Sequence, residues 1–340
     1  MGPWMYKECA ILWMKTTPNR GSSAFSLGDG LDRIEYLRGN PAIANWCYRV
    51  AMWLWGSPLP LLQANDGYTV GGFSYQRSTR GHGMTLIEDE GFLSEEARTS
   101  ISSIRSKNDA LFKLASDVNT AFMALIASAT ESAKVNLQSP QSVAVRLAFR
   151  AINSLQSVVL LAERGIVADS RTLARSVLED AFAIGALVDD PVKFMTDYEL
   201  DHHNATHRQL KFVASQQLAD PSVRKRIEQK LSAAPKGKQL LGASNNTKGR
   251  PLEKLYLYYM VLSNDSAHPS ATSLEHHVFR AAGGTGWCYK WSVADADVNA
   301  STLHIALSGI IAVAIALREY LELAAFGEVI DGLWERLEAL

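Results

Sequence analysis

What most constrains this chain is the punctuation of its apolar segments from about residue 94 onward, where short polar residues, often followed by proline, mark where each one begins. Ser139-Pro140, Asp190-Pro191 and Asp220-Pro221 each put a side-chain acceptor at a helix N-cap and proline at the first helical position, where its missing N–H costs nothing. Behind Ser139, the residues Val143, Leu147, Ile152, Leu155 and Val159 recur at helical spacing up to a stop at Gly165. Helices with one apolar stripe must bury it on each other, and short connections make successive helices antiparallel. The expected class is therefore all-α, an antiparallel helical bundle.

The remaining segments extend the pattern. Leu93 to Val135 is helix-rich, as one helix or two, with Ser94 as N-cap and Glu95 and Glu96 in the first turn, where the helix dipole favours them. Further helices are expected over Ser170–Val188, from Asp190 to about Leu218, from Asp220 to near Ala234, over Leu252–Ser266 and over Asn299–Ala325. Glu328–Leu340 reads as an amphipathic tail and 235–250 as a polar loop without period. His276–Ala281 and Trp287–Val293 flank Gly283-Gly284-Thr285-Gly286, which predicts one appended β-hairpin over about 276–293.

Composition bounds the function classes. Across 340 residues, 47% are hydrophobic and 20% charged, enough for a substantial core, and the net charge of -1 lacks the excess of Lys and Arg of a non-specific nucleic-acid binder. Cys9, Cys47 and Cys288 form no CxxC pair, so neither a disulfide framework nor a thiolate metal site is indicated, and a reducing cytoplasm fits. The longest apolar run, Ile305 to Leu317, falls short of the roughly 20 residues that span a bilayer, so it reads as a buried helix and no membrane association is expected. Residues 1–83 hold five of the eight Trp and 11 of the 23 Gly but no sustained period. They read as an irregular N-terminal region, either a turn-rich domain or translated upstream sequence ahead of a bundle domain at 84–340. Under the second reading, a chain starting at Met84 unfolds as cooperatively as the full one.

Two motifs carry charge where an apolar helix has little reason to. Arg171, Arg175 and Glu179 lie at i, i+4 and i+8 and form one row. A half-buried guanidinium fork can hold a carboxylate or phosphate through two parallel hydrogen bonds, but the same row can be an intrahelical ion pair or a buried structural network. The second motif, Tyr258-x4-Ser263-x4-His268-Pro269, ends a helix, because Pro269 disfavours helical geometry at His268. His268 is then a helix cap, or a general acid or base in a pocket with Arg175 and Glu179, with Arg171, Tyr258, Ser263 and Asn264 around the ligand. Separately, Glu199, His203 and His207 share one helix face and are candidate metal ligands. Glu199-x2-His202 has the spacing of helical di-iron sites, but no second copy follows.

Arg171-Thr-Leu-Ala-Arg175-Ser-Val-Leu-Glu179 and Tyr259-Met-Val-Leu262-Ser263-Asn-Asp-Ser-Ala-His268-Pro269 resemble the two signatures of a bacterial all-helical family of unknown function. The resemblance runs over about Ser94 to Leu323. A weaker similarity is to HEPN helical domains, many of which bind or cleave RNA in toxin and anti-phage systems. That similarity implies an Arg, a polar residue and a His in one short segment, acting across a dimer. Here Asn264 and His268 match, whereas Ser263 stands at the Arg position, so Arg171 or Arg175 supplies the cation from another helix or the site is non-catalytic.

The resulting expectation is a cytoplasmic, homodimeric bacterial helical protein without a cofactor. Its polar pocket takes RNA or a phosphate-bearing ligand in defence or stress response. The alternatives are a structural interaction module without catalysis, and a metal-dependent enzyme using the His203/His207 face.

Overall fold

A computed structural model describes residues 86–133, 136–215, 225–229, 231, 241–280, 286–289 and 296–340. The irregular region expected over 1–83, the start expected at Met84, most of the helix expected from Asp220 to Ala234 and the turn Gly283–Thr285 lie outside the described residues. Single helical turns at Ile87–Glu90 and Glu95–Thr99 lead into α1 (Ile101–Lys107) and α2 (Asp109–Ser132). Then come α3 (Pro140–Ala162), α4 (Val167–Asp189) and α5 (Pro191–Ser215). After a short turn at Ala243–Thr247 come α6 (Tyr256–Leu262), α7 (Ala296–Tyr320) and α8 (Gly327–Glu338).

The caps form where the sequence places them. Ser94 Oγ accepts from Ala97 N at 3.2 Å, Ser139 Oγ from Ser142 N at 3.1 Å ahead of Pro140, and Asp190 Oδ1 from Lys193 N at 2.9 Å ahead of Pro191. Gly165 sits at φ 77°, the left-handed conformation that glycine adopts without strain, and α4 begins two residues later. It thus starts earlier than Ser170. That serine is fully buried and donates across to Val158 O of α3 at 3.0 Å.

Helices α3, α4 and α7 pack on one another, with α2 against α3 and α7 and α8 against α2 and α7. Phe122, Leu155, Leu178, Phe182, Leu187 and Leu303 are among the largest fully buried side chains, each worth about 1.5–3 kcal/mol in burial. Gln156 donates to Asn119 and Ser170 to Val158, so α2, α3 and α4 alternate in direction as short loops require. Helix α7 does not alternate with α4. Arg171 meets Thr302, while Val177 and Leu178 meet Gly309, so α4 and α7 run parallel. The long excursion between them removes the constraint that a short loop imposes. At Gly309 an added Cβ would lie 3.0 Å from Val177 Cγ1 and 3.1 Å from Leu178 Cδ2, a close approach that glycine allows without displacing either side chain.

The expected β-hairpin over 276–293 is corrected: among the described residues the pairing is a three-residue antiparallel ladder, too short to stand as an appended element, and the fold is all-α. The described residues are overwhelmingly helical, His276 and His277 lie in a 3-10 turn, and extended backbone is confined to Val278–Arg280 facing Trp287–Tyr289. Three residues a side cannot bury a face of their own. By length and composition, α2, α3 and α7 are long and apolar enough to cross a membrane. Helix α7 extends nine residues before the Ile305 run. In this bundle α7 is the central buried helix, as the apolar run suggested.

Candidate functional site

Helix α4 is apolar where it meets α3 and α7: Ala174, Val177, Leu178, Ala181 and Phe182 are fully buried. That leaves the row Arg171, Arg175 and Glu179 toward α6 and the turn that follows it. The turn is shaped by Pro269. His268 is extended (φ -129°, ψ 148°), as a residue before proline prefers, and Ser263–Ala267 close α6 as one turn of π-helix. A π-turn carries one residue more per hydrogen-bonded loop than an α-turn, which re-aims the side chains within it.

Arg175 anchors the first half of the site. Its Nε donates to Ser263 Oγ at 2.8 Å, and its Nη2 donates to Tyr259 Oη at 2.7 Å and pairs with Glu179 Oε1 at 3.1 Å. Tyr259 Oη in turn donates to Glu179 Oε1 at 3.3 Å, and Ser263 Oγ donates to Tyr259 O at 2.8 Å. Tyr259 is wedged edge-on against Phe182 and stacked on Tyr256, which holds the phenol in place.

One turn back, the buried Arg171 forms an ion pair through Nη2 with Asp265 Oδ2 and reaches Thr302 Oγ1 at 3.4 Å. The other Asp265 oxygen lies 2.9 Å from His276 Nε2. Burial pushes the Arg171 guanidinium below its ordinary value, opposed by the Asp265 charge. Burial alone would raise the Asp265 carboxyl, but the His276 hydrogen bond and the Arg171 charge outweigh it and hold the group below the usual carboxylate range.

A third carboxylate sits beside the row. Asp180 is fully buried. Its Oδ1 accepts from Arg150 Nη1 of α3 at 2.9 Å, and its Oδ2 has no partner among the described residues. Burial pushes this carboxyl up to about 7; the Arg150 charge works against that, and Glu179 adds to it. Arg150 Nη2 also lies 3.8 Å from Glu179 Oε2, so an unbroken series of polar contacts runs from Asp180 through Arg150 and Glu179 to Arg175.

Arg171, Arg175, Glu179 and Ser263 thus lie along one seam between α4 and the α6 turn. Tyr258 points elsewhere: it is 3% exposed, and burial pushes its phenol up to about 12. Asn264 and His268 are exposed at the rim, where the His268 contacts run through its backbone carbonyl, which accepts from Ser270 N and Ser273 Oγ, both at 2.7 Å. The seam also includes Tyr259 and Asp265, which lie within the second signature without having been expected at the site, and His276, Arg150 and Asp180, which lie outside both motifs or carry no pattern of their own. Tyr259 was recoverable, since it lies four residues before Ser263 on the same helix face. Asp265 was not, because its direction depends on the π-turn.

On α5, Glu199 and His203 are exposed and His207 is half-buried. Among the described residues no three acidic, His or Cys side chains converge as a metal site. A cleft of about 410 Å³ lies away from the seam, where the end of α4 meets the start of α5, lined in part by Asp190, Lys193, Phe194, Asn246, Lys248 and Arg250.

Residues 141–285 match a family of unknown function, DUF5677. The match spans both motifs and every seam residue named above except Thr302. No curated protein and no solved structure matches the chain.

Proposed function

We propose that this chain is an HEPN-like helical protein of the bacterial cytoplasm that acts as a homodimer in defence or stress response, binding RNA or another phosphate-bearing ligand at the rim of the α4–α6 seam. One observation carries the reading: Arg175 Nε rests on Ser263 Oγ, so a guanidinium from α4 stands where the HEPN-type segment would carry its own arginine. The exposed Asn264 and His268 follow in the same turn. Arg175 is about one-fifth exposed and its other donors are oriented by Glu179 and Tyr259, a geometry that presents cationic charge without letting the side chain wander.

The test is binding of a short single-stranded oligoribonucleotide by the purified full chain. Arg175→Ala is expected to weaken binding at least tenfold, as losing a charge-assisted contact does. Equal affinity in the variant, or no binding by the unaltered protein, overturns the proposal.

A second reading, a structural interaction module, has its own support: Arg171 is 6% exposed and its ion pair with Asp265 is made inside the protein. Under that reading, replacing Arg175 with Met is destabilising, because Glu179 then loses its cation, and a neutral or stabilising replacement shows that the cluster holds no necessary buried network.

A further inference from the structure

Nothing in the sequence motifs draws attention to His276, yet its imidazole is the one the seam orients. Its Nε2 is 2.9 Å from Asp265 Oδ1, and the opposite oxygen of that carboxylate is held by the buried Arg171. Arg171 is in turn fixed between Asp265 and Thr302 of α7. Three elements, α4, the π-turn and the 3-10 turn before Val278, therefore set the direction of one ring. An ionised carboxylate can only accept, so Nε2 carries the hydrogen and, in the neutral ring, the lone pair is left on Nδ1. The His276 side chain is 19% exposed, and no other partner engages the ring among the described residues.

His268 offers the opposite case. It is exposed, and its hydrogen bonds among the described residues are made by its backbone carbonyl. A group that takes a proton from a ligand, or donates one to it, works best when its tautomer and orientation are set before the ligand arrives. Arg175 and His276 bond to the same five-residue turn, at Ser263 and Asp265, and Arg171 and Arg175, which hold those two residues, lie one helical turn apart on α4.

Building on the RNA-binding reading above, we propose that His276, oriented by Asp265 and Arg171, is the imidazole that meets the bound RNA, its Nδ1 lone pair accepting a hydrogen bond from the ligand, with Asp265 as its positioning residue. His268 is not that group.

The experiment records long-range proton–nitrogen imidazole spectra of the full chain labelled at histidine nitrogen, with and without the oligoribonucleotide, while binding is followed separately by fluorescence anisotropy. The expected result is a single Nε2–H tautomer at His276 whose Nδ1 signal moves on RNA addition while that of His268 does not. Asp265→Asn is expected to mix the tautomers and, in the same folded variant, to weaken RNA binding, the second of which a merely structural carboxylate would not produce. His276→Gln is expected to weaken RNA binding at least tenfold. RNA that binds and shifts His268 but not His276 overturns this inference and leaves the RNA-binding reading standing, as does binding that shifts neither ring. Absence of binding by anisotropy overturns both. The tautomer and shift readouts use the unaltered protein, so a variant that fails to fold does not blunt the test.

Discussion

Arg171 is the residue whose removal most directly separates packing from charge. Replacing it with Met leaves the half-buried Asp265 with only His276 beside it, and breaking a buried pair from one side costs up to about 3–5 kcal/mol. Equilibrium urea unfolding of Arg171→Met is expected to show a loss of that order. The double variant Arg171→Met with Asp265→Leu is expected to recover much of it, because no charge is then stranded. Asp180 makes a prediction of opposite sign to most carboxyls. Its folded pKa of about 7 lies above the ordinary 3.8, so between those values the native state keeps a proton that the unfolded chain has released. The contribution of this group to stability is best below about pH 4 and declines as pH rises to 7, by an amount on the order of 4 kcal/mol. Asp265 is depressed instead, so its contribution is full above the ordinary carboxylate range and is lost only at more acidic pH, outside the Asp180 window. Thermal melts from pH 5 to 8 are expected to fall more steeply for the unaltered protein than for Asp180→Asn, and equal slopes would contradict the burial argument.

At the scale of elements, two helical glycines discriminate between propensity and contact. Gly332 in α8 has nothing within 4 Å of an added Cβ, so Gly332→Ala is expected to stabilise by about 0.5–1 kcal/mol through helix propensity alone. Gly309 in α7 would gain the same propensity, but its new Cβ would press on the β-branched Val177 and on Leu178, and overpacking costs about 1–3 kcal/mol. Gly309→Ala is therefore expected to be neutral to destabilising and Gly309→Val clearly destabilising in denaturant melts. The same scale shows what was legible in the sequence. The starts at Ser94, Ser139 and Asp190 and the stop at Gly165 are local hydrogen-bond and dihedral events, and each follows from a residue and its next few neighbours. The π-turn at Ser263–Ala267 is not local in that sense. It depends on Pro269 closing the helix and on α4 offering Arg175 and Arg171 as partners for Ser263 and Asp265.

For the molecule as a whole, the proposed homodimer predicts a solution mass of twice the 37.3 kDa chain by light scattering, and a monomer mass would remove the partner from the proposal. RNA binding by a chain of net charge -1 must come from a local site, so its affinity is expected to depend only shallowly on salt, with a slope that Arg175→Ala reduces by about one. Taken alone, the sequence determined the helical class, the positions of several caps, the buried character of the apolar run in α7 and the fact that Arg171, Arg175 and Glu179 share one face, because each depends on spacing along a single helix. Only the tertiary structure decided that α7 lies parallel to α4, that Tyr259 rather than Tyr258 joins the seam, that the described pairing after His277 is confined to three residues a side, and that Asp265 and His276 complete the cluster around Arg171. Each of these depends on which distant segment packs against which, and no periodicity within one helix encodes that choice.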